Sequence, residues 1–119
     1  MLDHITLRCT DVEKSKNFFS KALAPLGYKI ILDKSTSVGF GKETADFWIK
    51  QFDGEIKPIG CIAFNAKNKE EVKGFYCAAL EAGGKDNGVP GYRTKYHAGY
   101  YAAFVTGPDM HTIEAVYEE

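Results

Sequence analysis

Three side chains of this 119-residue chain are of the types that hold a divalent ion: His4 in LDHITL, Cys61 in GCIAF and Glu114 in HTIEAVY. Imidazole, thiolate and carboxylate are each good zinc donors. Three protein donors with one position left open are what a catalytic zinc needs. Such an ion polarises adjacent substrate oxygens while a nearby base moves a proton. Glu114 is one candidate for that base. His97 in KYHAGYY is the other, because an unperturbed imidazole titrates at about 6.5. The thiol weighs against ferrous oxygen chemistry, which normally takes two histidines and a carboxylate. Each residue also has a plainer role open to it. Cys61 can line a wall as a small buried hydrophobe, His4 can be a hydrogen-bonded cavity histidine, and Glu114 can hold Arg8 or a cationic ligand. His97 can pack among Tyr96, Tyr100 and Tyr101.

Around these, Trp48, Tyr92, Tyr96 and Tyr101 can form an aromatic wall for a planar ligand or serve as core. Arg8, with Arg93 and Lys50, can meet an anionic substrate; solvation at the surface is the alternative for the last two. Cys9 reads as core, Cys77 as partly exposed, and His111 as lying on the face opposite Glu114. No Ser-His-Asp set or phosphate-cradling glycine loop is evident, and GVPGY is a turn signal.

The elements that must position these groups come in two copies. Sliding the chain by 57 residues aligns 4–27 with 61–84, and seven of the 24 positions are identical without a gap. Chance gives roughly one or two, so an internal duplication is the better explanation. Each copy opens with a strand in which Ile5 and Leu7, or Ile62 and Phe64, alternate with the other side chains. Asp11 and Asn68 then fit N-cap positions, with Glu71 placed to close a capping box. The first helix gathers Ser15, Phe18, Phe19, Ala22, Leu23 and Leu26 on one side; the second gathers Val72, Phe75, Tyr76, Ala79 and Leu80. Gly27 and the pair Gly83-Gly84 end them. Strands are expected at about 28–33, 36–41 and 45–52, then at about 92–96, 100–106 and 111–117.

The plan is therefore α+β, β-α-β-β-β twice, in a single domain of residues 1–119. Module one covers about 1–53 and module two about 58–119. A helix covering one face of each sheet leaves the other face free, and two such faces can curl round a cavity. Since Ile5, Leu7, Ile113 and Ala115 belong under the helices, alternation turns His4, Thr6, Arg8, Cys61 and Glu114 toward that cavity. The formal net charge of −1 offers no basic face for nucleic acid. There is no apolar run of membrane-spanning length and no leader-like start, so the expectation is a cytoplasmic protein with neither nucleic-acid nor membrane partners. Three cysteines without CxxC spacing argue against a disulfide framework.

The doubled plan, LDHITL at the start and GPDMHTIEAV at the end resemble the vicinal oxygen chelate superfamily, which includes glyoxalase I, extradiol dioxygenases, and fosfomycin- and bleomycin-resistance proteins. YHAGYYAAFV adds to a likeness that covers essentially the whole chain. The resemblance implies a divalent metal, zinc foremost, held at His4, Cys61 and Glu114. Cys61 stands where a second histidine is usual. Aligning Gly41 with Gly107 puts Trp48 at the fourth ligand position, where it cannot bind an ion, and Met110 replaces a frequent glycine. The resemblance further implies a homodimer, with a cavity built within one chain or across two. Its leading function is that of a metal-dependent, glyoxalase-like lyase or isomerase acting on a small oxygenated or electrophilic metabolite. The competing function is metal-free sequestration of a small molecule between Trp48 and the tyrosines. A purely structural dimerisation module is a third.

Overall fold

The structure is a computed structural model and describes residues 1–58 and 60–119. Its first half runs β1 (Ile5–Cys9), α1 (Val12–Leu23), β2 (Lys29–Asp33), β3 (Ser37–Gly41) and β4 (Ala45–Gln51). Its second half runs β5 (Ile62–Asn65), α2 (Lys69–Glu81), β6 (Lys85–Asp86), β7 (Gly91–Tyr92), β8 (Tyr100–Thr106) and β9 (Thr112–Glu118).

Both helices start where side-chain caps allow. Asp11 accepts from the Lys14 N–H at 3.2 Å and Asn68 from the Glu71 N–H at 2.8 Å, each meeting one of the unpaired donors of a first turn. Glu71 does not close the box on Asn68; its carboxylate accepts from the N–H of Lys67 at 2.9 Å. After α1, a short 3-10 turn ends at Gly27, whose φ of 86° reverses the chain into β2 at no Cβ cost.

The two sheets repeat one topology. The first has the order β1-β4-β3-β2; the second has β5-β9-β8-β6, with β7 also on β8. In both, the opening strand lies parallel to the closing one. The register carries the duplication into three dimensions: Thr6 pairs with Trp48, and Ala63, 57 residues after Thr6, pairs with Glu114. Trp48 and Glu114 are therefore equivalent positions.

The second module departs from expectation between 85 and 99. Instead of one strand over 92–96, two short strands, β6 and β7, flank Pro90, which has no N–H to give a ladder. The chain then turns, with Tyr96 N–H donating to the Arg93 carbonyl at 3.0 Å. Arg93 is used within this loop, since its guanidinium donates to the carbonyls of Gly91 and Val89 at 2.9 and 2.7 Å.

One core serves both halves. Leu7, Cys9, Phe18, Phe19, Phe40 and Phe47 of module one join Phe64, Phe75, Val105, Ile113 and Ala115 of module two in a single buried cluster. The Phe64 ring meets Phe47 edge-on at 5.2 Å and Tyr28 at 5.3 Å, contacts worth about 0.5–1.5 kcal/mol each beyond burial. Two polar clasps cross the same boundary. Asp109 accepts from the N–H and hydroxyl of Thr10 at 3.1 and 2.8 Å, and buried His111 donates Nε2–H to the Arg8 carbonyl at 3.0 Å. Among the described residues, no helix is long and apolar enough to cross a membrane.

Candidate functional site

Glu114 sits in the middle of β9, between Ala63 of β5 and Phe104 of β8, on the sheet face turned away from the helices. It is only 5% exposed, yet no cation among the described residues lies within ion-pair distance of it. A buried carboxylate needs hydrogen bonds in place of lost water. Tyr100 donates its hydroxyl to Oε2 at 2.5 Å, and the Cys61 thiol approaches Oε1 at 3.4 Å.

Those two donors are held in their neutral forms. Desolvation, followed by the adjacent carboxylate, pushes the Cys61 thiol up to about 12. Cys61 as a residue is exposed, but its sulfur is turned to Glu114. Burial and then Glu114 hold the Tyr100 phenol well above its ordinary value. The site thus sets a neutral phenol and a neutral thiol against the Glu114 carboxyl group.

A second pair stands behind Tyr100. His97 Nε2 lies 2.6 Å from Glu118 Oε1, and His97 Nδ1 donates to the Ala98 carbonyl at 2.8 Å. The carbonyl bond, then Glu118, raise the His97 pKa above its ordinary value. The Tyr100 ring is flanked edge-on by His97 at 5.3 Å and Tyr96 at 4.9 Å. His97 therefore reaches Glu114 only through Tyr100.

His4 lies elsewhere. It is half exposed, its Nδ1 2.7 Å from Asp3. It does line, with Cys61, Tyr28, Asp46 and Asn65, a cleft of about 710 Å³ between the two modules. In that cleft Tyr28 donates to Asp46 at 3.2 Å, and burial raises its pKa to about 12. The structure thus brings Cys61 to Glu114 and His4 to the rim of Cys61's cleft. Among the described residues, no group of three His, Cys, Asp or Glu is placed to hold an ion. Within one chain, Cys61 and Glu114 are thus two of the donors a divalent ion would take, and no third described donor stands beside them.

The remaining candidates divide between the sheets. Trp48 lies half-buried on the outer face of the first sheet over Gly39, with Lys34 Nζ 5.3 Å from its ring centre. A Cβ at Gly39 would come within 2.8 Å of that indole, so glycine gives the ring its seat. Arg8 does not meet Glu114; it stacks over Phe52 at 4.2 Å. Tyr101 points into the core, because it alternates with Ala103 and Val105 under α2, and Tyr92 packs on it at 5.1 Å. Lys69 Nζ caps that pair and meets Glu119 at 2.9 Å. Tyr92 with Tyr101 and Tyr96 with Tyr100 thus form two groups, and among the described residues no ring contact joins either to Trp48.

Tyr100 is the residue that sequence reasoning missed as part of the site. The signal was present: with β8 placed at 100–106, alternation puts Tyr100 on the side of Phe104, hence of Glu114.

Comparison with known proteins agrees with this architecture. A family model described as the Glyoxalase/Bleomycin resistance protein/Dioxygenase superfamily matches residues 1–115. A glyoxalase/bleomycin resistance protein from Albidiferax ferrireducens T118 superposes with a TM-score of 0.86 at 23% identity, covering 98% of each chain. The genomically encoded fosfomycin resistance protein FosX from Listeria monocytogenes gives 0.75 at 20% identity, over 100% of this chain and 93% of its own. A mutant of that FosX, complexed with Mn(II) and 1S,2S-dihydroxypropylphosphonic acid, gives 0.72 at 20% identity over 98% and 88%. No curated protein matches the chain.

Proposed function

The chain belongs to the Glyoxalase/Bleomycin resistance protein/Dioxygenase superfamily, and on that premise we propose that it is a glyoxalase-like protein that binds a small oxygenated or electrophilic molecule at Glu114, Tyr100 and Cys61. One observation carries this reading: a carboxylate 5% exposed, met by two neutral donors and, among the described residues, by no cation. A ligand hydroxyl or amine that reaches Glu114 finds a strong acceptor, and a ligand carbonyl finds the phenol of Tyr100. Glu114 is also the group that can accept a proton from such a ligand. Tyr100 orients it, and the His97–Glu118 pair steadies Tyr100 from behind. Metal-free binding is the form this donor set supports best.

The divalent-metal lyase or isomerase is the second reading. It is favoured by His4 and Cys61 lining one cleft while Cys61 also touches Glu114. Elemental analysis of protein purified without added metal separates the two. Less than about a tenth of an ion per chain, with binding of small hydroxy-carbonyl compounds unchanged by chelation and abolished in Glu114→Ala, supports the first. A stoichiometric ion lost in Cys61→Ala supports the second. A cytoplasmic homodimer completes the proposal; β1 and β5 each end a sheet with one side unpaired by another strand, and sedimentation tests the assembly.

A further inference from the structure

Glu114 is closed off as it stands. It is buried, one oxygen is taken by the Tyr100 hydroxyl and the other is met by the Cys61 thiol. A ligand reaches it only when one of these donors moves aside. Tyr100 is the first residue of β8, directly after the loop of residues 93–99 that joins β7 to β8. What holds that loop therefore governs how readily the carboxylate is uncovered. Two adjacent glutamates pin it to the end of β9. Beside α2, Glu119 accepts from the Tyr92 hydroxyl at 2.7 Å, meets Lys69 Nζ at 2.9 Å and donates its N–H to the Gly99 carbonyl at 3.0 Å. Glu118 pairs in register with Tyr100, on the same face as Glu114, and meets His97 Nε2 at 2.6 Å.

Of these two ties, the one through His97 is conditional. Its Nδ1 faces the Ala98 carbonyl at 2.8 Å while its Nε2 faces the Glu118 carboxylate. A carbonyl and a carboxylate both accept, so the ring satisfies both only as the imidazolium, with a proton on each nitrogen. A neutral imidazole has to give one of them up. The other groups around it do not offer a substitute. Tyr100 faces His97 edge-on, Tyr96, Lys95 and Glu114 lie beyond that ring, and Glu119 is turned to Lys69.

We propose that the loop of residues 93–99 is a gate over Glu114, latched by the His97–Glu118 pair. Latched, it clamps the Tyr100 ring and keeps its hydroxyl on the carboxylate; unlatched, it lets Tyr100 swing aside and a ligand enter. The inference rests on Glu114 as the binding group, and it makes His97 and Glu118 positioning residues that act only through Tyr100. Acid closes the gate and base opens it. The contacts to Ala98 and then Glu118 raise the His97 pKa, so the latch is complete below about 6.5 and is lost as pH rises through the raised value. Both partners are about half exposed, so water screens the pair and keeps the effect to a few fold.

Two measurements on the full chain separate the gate from the site. Hydroxyl-radical labelling with peptide mass spectrometry reads the exposure of Tyr100 without any ligand, with Tyr76 on α2 as the internal standard. Calorimetry reads the binding of hydroxyacetone. In the parent protein, Tyr100 labelling and hydroxyacetone affinity are both expected to rise about two- to fivefold between about pH 5.5 and about pH 8.5. Glu118→Ala removes the latch but leaves the His97 ring beside Tyr100, and should make both high and independent of pH. His97→Lys keeps a cation beside Glu118 throughout this range, and should make both low and independent of pH. Should His97→Lys fail to fold, Glu118→Ala carries the test. Tyr100 labelling that does not change with pH in the parent, or that keeps the parent's pH profile in Glu118→Ala, overturns the proposal. If Tyr100 responds as expected while hydroxyacetone binds no variant at any pH, the gate stands and Glu114 falls as the binding group.

Discussion

The hydroxyl of Tyr100 lies 2.5 Å from Oε2 of Glu114, joining β8 to β9 through a phenol held neutral by burial and by the carboxylate it serves. Removing that hydroxyl leaves a buried carboxylate oxygen without its donor. Tyr100→Phe keeps the ring and its contacts with Tyr96 and His97, so the loss falls on the hydrogen bond. We expect destabilisation of about 1–3 kcal/mol, read as a lower denaturant midpoint with an unchanged slope. Tyr100→Phe with Glu114→Gln should cost less than the sum of the singles.

Cys61 should be a sluggish nucleophile. With its pKa pushed up to about 12 by desolvation and Glu114, almost none of it is thiolate at neutral pH. Exposed Cys77 has no carboxylate contact of that kind among the described residues, and a thiol-specific disulfide reagent at pH 7.5 should label it at least about tenfold faster, as peptide mass spectrometry would show. Glu114→Gln removes the charge and should speed labelling of Cys61. Equal rates at the two cysteines in the parent protein would contradict the geometry.

His97 predicts a pH dependence with a definite sign. Its folded pKa is raised, first by the Ala98 carbonyl and then by Glu118, so protonation favours the folded state. The stabilisation is fully present below the unfolded value of about 6.5 and is lost as pH rises through the raised folded value. Melting curves of parent and His97→Gln should therefore differ most near pH 5.5 and converge by about pH 8.5. A gap that widened with pH would refute the assignment.

Gly39 should not tolerate a methyl group. Its Cβ would stand 2.8 Å from both the Trp48 ring and the Ala45 side chain, in the middle of a buried strand. Gly39→Ala should cost about 1–3 kcal/mol and shift Trp48 emission as the indole is displaced. Calorimetry and fluorescence report the two effects separately.

Much of this architecture was legible because it repeats. The match at a 57-residue offset, the two N-caps and the alternation of Ile5 and Leu7 foretold the repeated strand-helix plan, while the pairing of Thr6 with Trp48 and Ala63 with Glu114 is what the structure adds. GVPGY was legible as a turn, but the strand expected over 92–96 was not borne out, because the chain turns after Arg93 in a run whose aromatic composition reads as strand. The candidate site was legible by face but not by distance. Alternation put His4, Cys61 and Glu114 on cavity-facing sides, yet no pattern within a strand shows that His4 turns to Asp3. Nor does it show that Tyr100, four residues from Phe104, reaches across to the carboxylate. That depends on side-chain length and on how two sheets are set against each other.

The Phe47–Phe64 contact and the Asp109–Thr10 clasp bear on how such a duplicated chain can be edited. Although the halves share one strand order, the aromatic surface of each is covered by the other. A fragment cut in the joining segment would therefore leave rings facing water and a carboxylate without its clasp. Strand order repeats between the halves while the core does not divide between them, so heat should melt both at one temperature, as a single event.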